Sequence, residues 1–109
     1  MDLEIKKDLA SNWFKTLQDA FCDDICKLEK NKLKFKSTLW KRNTKNDEGG
    51  GEYRILQNGK VFEKVGVNFS KVYGKFPKQF QNKIPGAQKD PKFWASGISV
   101  VMHMKNPLI

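Results

Sequence analysis

Between Gly49 and Gly74 the chain reads GGGEYRILQNGKVFEKVGVNFSKVYG, two β-prone runs broken by Asn58-Gly59. An Asn-Gly pair in that setting is a strong hairpin signal, because both residues accept the positive φ of a two-residue turn. With such a turn Leu56 faces Val61, Ile55 faces Phe62 and Arg54 faces Glu63. Two apolar pairs and one opposite-charge pair each contribute roughly 0.2–1 kcal/mol. The apolar pairs fall on opposite faces, so the hairpin, about 53–72, is expected to be covered on both sides near its turn. A hairpin is marginal in water by itself and must belong to a larger sheet.

Upstream, from about Asp8 to Glu29, Leu9, Trp13, Leu17, Phe21, Ile25 and Leu28 recur at three- and four-residue spacing, with Phe14 widening the stripe. That is the period of an amphipathic helix, and the stripe is expected to pack on the sheet. Next, KLKFKSTLW alternates as a strand with Leu33, Phe35 and Leu39 turned inward. Its lysines suit a solvated edge strand. Thr44 to Gly51 reads as a flexible loop; its three glycines lack the Gly-Lys-Ser/Thr ending of a phosphate loop. Gly66 is expected to mark a bulge or a close backbone approach. Gly74 to Pro91 reads as turns with a short helix around Lys78 to Asn82. The expected class is α+β in one domain over 1–109: an N-terminal helix packed on a mainly antiparallel sheet.

The last strand, about 93–103, has the most informative alternation. Trp94, Ile98, Val100 and Met102 fall on one face, with Ser96 the exception, and read as core. Ala95, Gly97, Ser99, Val101 and His103 fall on the other. That second face presents small residues, then a hydroxyl, then an imidazole about 13 Å further along at the strand rise. A flat wall of this kind suits a broad planar ligand fixed by a few polar groups.

Charge and cysteine content limit the functions to consider. The 109 residues carry a net charge of +9 from 21 basic and 12 acidic side chains. Lys27 to Lys45 holds eight basic residues against Glu29 alone, with Phe35, Leu39 and Trp40 interleaved. Lysines beside aromatics can form a platform for single-stranded nucleic acid. Only Arg42 and Arg54 supply the planar guanidinium that base reading favours, which argues against that use. Cys22 and Cys26 sit four apart on the helix beside a single histidine in the whole chain. A structural zinc site needs four ligands, so free, partly buried thiols are expected. No apolar run approaches the ~20 residues of a membrane span, and MDLEIKKDLA lacks a signal-peptide core, so the expected compartment is the cytoplasm. Outside a secretory route, the sequon Asn68-Phe69-Ser70 carries no meaning.

The pattern GGG-x-x-R-x-L-x-x-G-x-VFEK-x-GVN-x-S-x-V-x-G, with Trp40-Lys41-Arg42 ahead of it, resembles the signature region of oxygen-dependent coproporphyrinogen III oxidase, a family of haem synthesis. Downstream, GISVVMH-x-x-NP resembles that family's G-x-S-x-V-x-H-P-x-NP segment, with Met104 in place of proline. The resemblance places Ser99 on a substrate-contacting serine and His103 on a divalent-metal ligand. It implies oxidative decarboxylation of two propionates of coproporphyrinogen III to vinyl groups, giving protoporphyrinogen IX. It also implies molecular oxygen as co-substrate, no organic cofactor, a divalent metal whose participation it does not fix, and a homodimer.

The resemblance covers only the first part of such an enzyme. The family's proton-donor histidine lies beyond Ile109, so no catalytic residue is assigned here. One wall of a pocket cannot enclose a tetra-anionic macrocycle, and the chain is expected to be inactive or nearly so without a separate C-terminal piece. The sheet's last strand is expected to leave an unpaired edge that pairs with a second chain or self-associates. The alternatives are a small basic module for nucleic acid or an anionic surface, and a decayed gene product.

Overall fold

Asp2 starts the first helix: its carboxylate accepts the Glu4 backbone N–H at 3.3 Å, the usual service of an N-cap. The computed structural model describes residues 2–30 and 32–108; Met1, Asn31 and Ile109 lie outside the described residues. Helix α1 spans Leu3–Glu29, five residues longer at its start than the apolar stripe indicates, and stops where Lys30 turns left-handed at φ 53°. Strands β1 (Lys36–Lys41), β2 (Gly49–Gln57), β3 (Phe62–Lys75) and β4 (Lys92–Met104) follow, with the short helix α2 (Lys78–Gln81) before the last. The four strands form one antiparallel sheet in sequence order, with β1 and β4 at its edges. The α+β arrangement of a helix on an antiparallel sheet is therefore the fold. Gly49 to Gly51 open β2 instead of belonging to the preceding loop.

Helix α1 lies on one face of the sheet, against β3 and β4. Leu56, Val65 and Val67 project from that face and pack with Phe62, Cys22 and Ile25 into the buried core; Ile98 and Val100 border it. Leu33 and Phe35 also turn toward the core, but Leu39 is 79% exposed, opposite Glu52 at the open edge.

The helix face differs from the expected one. Its buried positions are Ser11, Gln18, Cys22, Ile25 and Glu29, a stripe at three-, four- and seven-residue spacing. Of the apolar stripe only Ile25 is buried; Leu9, Trp13, Phe21 and Leu28 are exposed, Trp13 by 59%. The reason lies in β2, whose helix-side residues include Glu52 and Arg54. These charges need partners, and a helix face carrying Lys15, Gln18 and Asp19 supplies them. Gln18, with no exposed surface, donates from Nε2 to the Glu52 carbonyl at 2.8 Å and the Val67 carbonyl at 3.1 Å, and accepts from Lys15. Arg54 bonds Glu52 at 2.7 Å and Asp19 at 2.8 Å, so the expected Arg54–Glu63 pair does not form.

The hairpin register differs for a related reason. Leu56 pairs with Val65, Ile55 with Gly66 and Arg54 with Val67. Asn58 adopts φ 61°, its N–H donates to the Glu63 carbonyl, and the Gly59 N–H donates to that of Phe62. The wider turn leaves the amides of Lys60, Val61 and Phe62 pointing at one spot, and the buried carboxylate of Glu29 fills it at 2.6, 3.2 and 2.7 Å. A concave run of amides is a natural anion seat. The last residue of the helix thus sets the turn, and a two-residue Asn-Gly turn would lack these contacts. Glu63 is the irregular position where β3 slips against β4.

Candidate functional site

Strand alternation gives the sheet a second face, on which no described helix packs. Residues of β4 on this face include Ala95, Gly97, Ser99, Val101 and His103, as the alternation predicts. Ser99, Val101 and His103 are exposed. Ser99 lies opposite Asn68 of β3, and His103 opposite Lys64. The side expected to be core carries Trp94, Ile98 and Val100 toward the helix, though Met102 at the far end remains half exposed.

Two aromatic side chains lie flat on the open face over glycines. A Cβ on Gly66 would stand 2.6 Å from the Tyr53 hydroxyl, and one on Gly51 would stand 2.9 Å from Trp40 Cζ2. Only glycine permits these close approaches, which accounts for Gly66 as a close approach, with the sheet's irregularity lying at Glu63 instead. From its seat over Gly51 the Trp40 indole N–H donates to Asn68 Oδ1 at 2.9 Å. Beside them Gly97 faces open space, a bare patch of floor. At the rim the Arg42 guanidinium lies 4.8 Å above the Phe93 ring and donates to the Tyr73 carbonyl at 3.1 Å. The face therefore offers aromatic surface, bare backbone, and hydroxyl, amide and imidazole groups to a flat ligand.

Ser99 and His103 are thus on one strand and one face, in the order the sequence indicates. Sequence reasoning does not reach Trp40, Tyr53 and Asn68 as site residues. The signal for Trp40 is present in the W-x-R alternation, which puts Trp40 and Arg42 on the same side of β1. The signal for Asn68 requires the register between β3 and β4. Of two clefts, of about 960 and 1020 Å³, one is framed by Lys7, Lys71 and Trp94 on the helix side and the other by the 43–47 loop with Trp40 and Gly51; neither touches Ser99 or His103.

The described residues do not by themselves complete a metal site. Among the described residues no three His, Cys, Asp or Glu side chains come together, and His103 has a lysine as its cross-strand neighbour. Cys22 is a free, buried thiol whose pKa burial pushes up, opposed by Arg54; Cys26 is free as well, and its Sγ lies 3.9 Å from the Leu33 carbonyl. Neither thiol faces the open side. No described helix is long and apolar enough to cross a membrane.

The site is thus the open, aromatic-lined polar face of a helix-backed antiparallel sheet. The comparisons with known proteins identify the family. The family model for coproporphyrinogen III oxidase matches residues 9–109. The chain is 47% identical to the oxygen-dependent coproporphyrinogen-III oxidase of Rickettsia felis, over 94% of this chain and 38% of that protein. It is 44% identical to the same-named protein of Rickettsia africae, over 100% of this chain and 40% of the relative. For that of Rickettsia prowazekii the figures are 46%, 94% and 38%. The chain belongs to the coproporphyrinogen III oxidase family, and spans about two-fifths of the length of the curated relatives it matches.

Proposed function

We propose that this chain supplies the sheet wall of the substrate site of an oxygen-dependent coproporphyrinogen III oxidase acting in haem biosynthesis. The observation that carries this reading is the uncovered face on which Ser99 and His103 stand beside bare Gly97. In the family's reaction each of two propionates loses carbon dioxide and becomes a vinyl group. The two electrons and one proton released pass, with one further proton from solvent, to dioxygen as hydrogen peroxide, which balances the step. This chain's part is to bind and orient. Ser99 contacts the substrate and His103 meets one of its carboxylates. A metal role for His103 would need ligands from elsewhere in the family's length, and no step is routed through one. The cytoplasm and a homodimeric assembly are part of the same proposal.

Closure over the macrocycle must come from polypeptide other than the described residues. The test is an anaerobically prepared coproporphyrinogen III assay started with air. The chain by itself is expected to form no protoporphyrinogen, and a mixture with the remaining three-fifths of a Rickettsia relative is expected to form it. Full turnover by the chain unaided would overturn the division of labour. A mixture that stays inactive although the two pieces co-purify would overturn the proposed function.

A further inference from the structure

Across the open face Trp40 and Asn68 are joined side chain to side chain, and the direction of that hydrogen bond carries information. An indole N–H can only donate, so the Asn68 amide must present its oxygen to Trp40. The rotamer ambiguity usual for an asparagine is thereby removed. The amide nitrogen, with two N–H donors, is left without a hydrogen-bond partner among the described residues. Asn68 and Ser99 are register partners on β3 and β4, so their Cβ atoms stand about 4.5–5.5 Å apart on this face. A hydroxyl and an oriented amide N–H₂ at that spacing match the two oxygens of one carboxylate. Next along β4, Gly97 leaves room for the body of a flat molecule.

We infer that Asn68 is a further substrate-binding residue, donating with Ser99 to one propionate carboxylate of the macrocycle, and that Trp40 is the positioning residue that turns the amide the right way. This rests on the proposed function above. It assigns a task to the Asn-Phe-Ser triplet other than glycosylation, and to the first residue of the W-x-R segment. Trp40 acts through Asn68, from its seat over Gly51.

The test titrates the purified chain with coproporphyrin III, the stable oxidised macrocycle bearing the same four propionates, and follows quenching of its emission. Coproporphyrin III tetramethyl ester is the uncharged control. Asn68→Asp keeps the shape, removes the donors and adds like charge; affinity is expected to fall at least about tenfold, the scale of one hydrogen bond to a charged group. Trp40→Phe keeps the ring and removes the N–H; a smaller loss of roughly threefold is expected, as for a weakened neutral contact. The double variant is expected to bind no more weakly than Asn68→Asp, a non-additivity that a purely structural role for Trp40 would not give. Far-UV circular dichroism identifies any variant that does not fold, in which case Trp40→Phe carries the test. Wild-type affinity in Asn68→Asp, or in Trp40→Phe where the former is unfolded, with Ser99→Ala impaired, overturns the inference and leaves the proposed function standing. No preference of the wild-type chain for coproporphyrin III over its ester overturns both.

Discussion

Glu52 shows how single residues decide the arrangement of this molecule. Its carboxylate takes Arg54 first, then Lys15 and Ser37, the last at 2.5 Å. Arg54, ahead of the opposing effect of burial, pulls its pKa down from 4.5 to about 2, and Arg54 is raised in turn. A carboxylate with a depressed folded pKa contributes stability that is complete above its ordinary value and is lost as pH falls through the folded one. The window for Glu52 therefore runs from pH 4.5 down to about 2. Its contribution is on the order of 2 kcal/mol once solvent screening is allowed for. Urea midpoints measured across that window are expected to fall steeply for the wild-type chain and more gently for Glu52→Gln. Equal slopes would show that the network does not hold the fold at acid pH. None of this is legible as a network in the sequence, where Glu52 follows three glycines like a loop residue and a two-residue turn pairs Arg54 with Glu63.

At the scale of elements, the sequence shows more of the fold than of its contacts. The helix, the two central strands and the face of β4 follow from periods of about 3.6 and 2, and the structure has them. Ser99 and His103 can be placed on one face from alternation alone. The choice of helix face cannot, because α1 carries two stripes and the more apolar one does not meet the sheet. Apolar periodicity favours the stripe with Leu9 and Trp13, whereas satisfying Glu52, Arg54 and two strand carbonyls requires the stripe with Gln18. Substitution can tell them apart. Ile25→Ala, at a buried site, is expected to cost about 2–4 kcal/mol in urea unfolding. Trp13→Ala is expected to stay within about 0.5 kcal/mol, as for an exposed position away from any such feature. The reverse ranking would return the helix to the face its apolar spacing suggests.

For the whole molecule, the surfaces left uncovered are the open sheet face, the outer helix stripe and the edges of β1 and β4 among the described residues. The seat of Glu29 in the hairpin tip joins parts of the chain that are 31 to 33 residues apart. Burial acts to raise the pKa of this carboxylate, but the amides of Phe62, Val61 and Lys60 outweigh it and the net shift is downward. The seat therefore contributes stability that is present at neutral pH and lost as pH falls through the lowered folded value. Local sequence favours one strand pairing, Leu56 with Val61, while the docked helix favours another, Leu56 with Val65. Glu29 is thus expected to act as a proofreader of strand pairing, because its seat exists only in the second hairpin and docking of the helix therefore favours that one. Removing the charge should let the rejected pairing return. In Glu29→Gln, the amide resonances of Leu56 and Val65 are expected to double in a heteronuclear NMR spectrum, whereas a single set would mean that the strands choose their partners unaided.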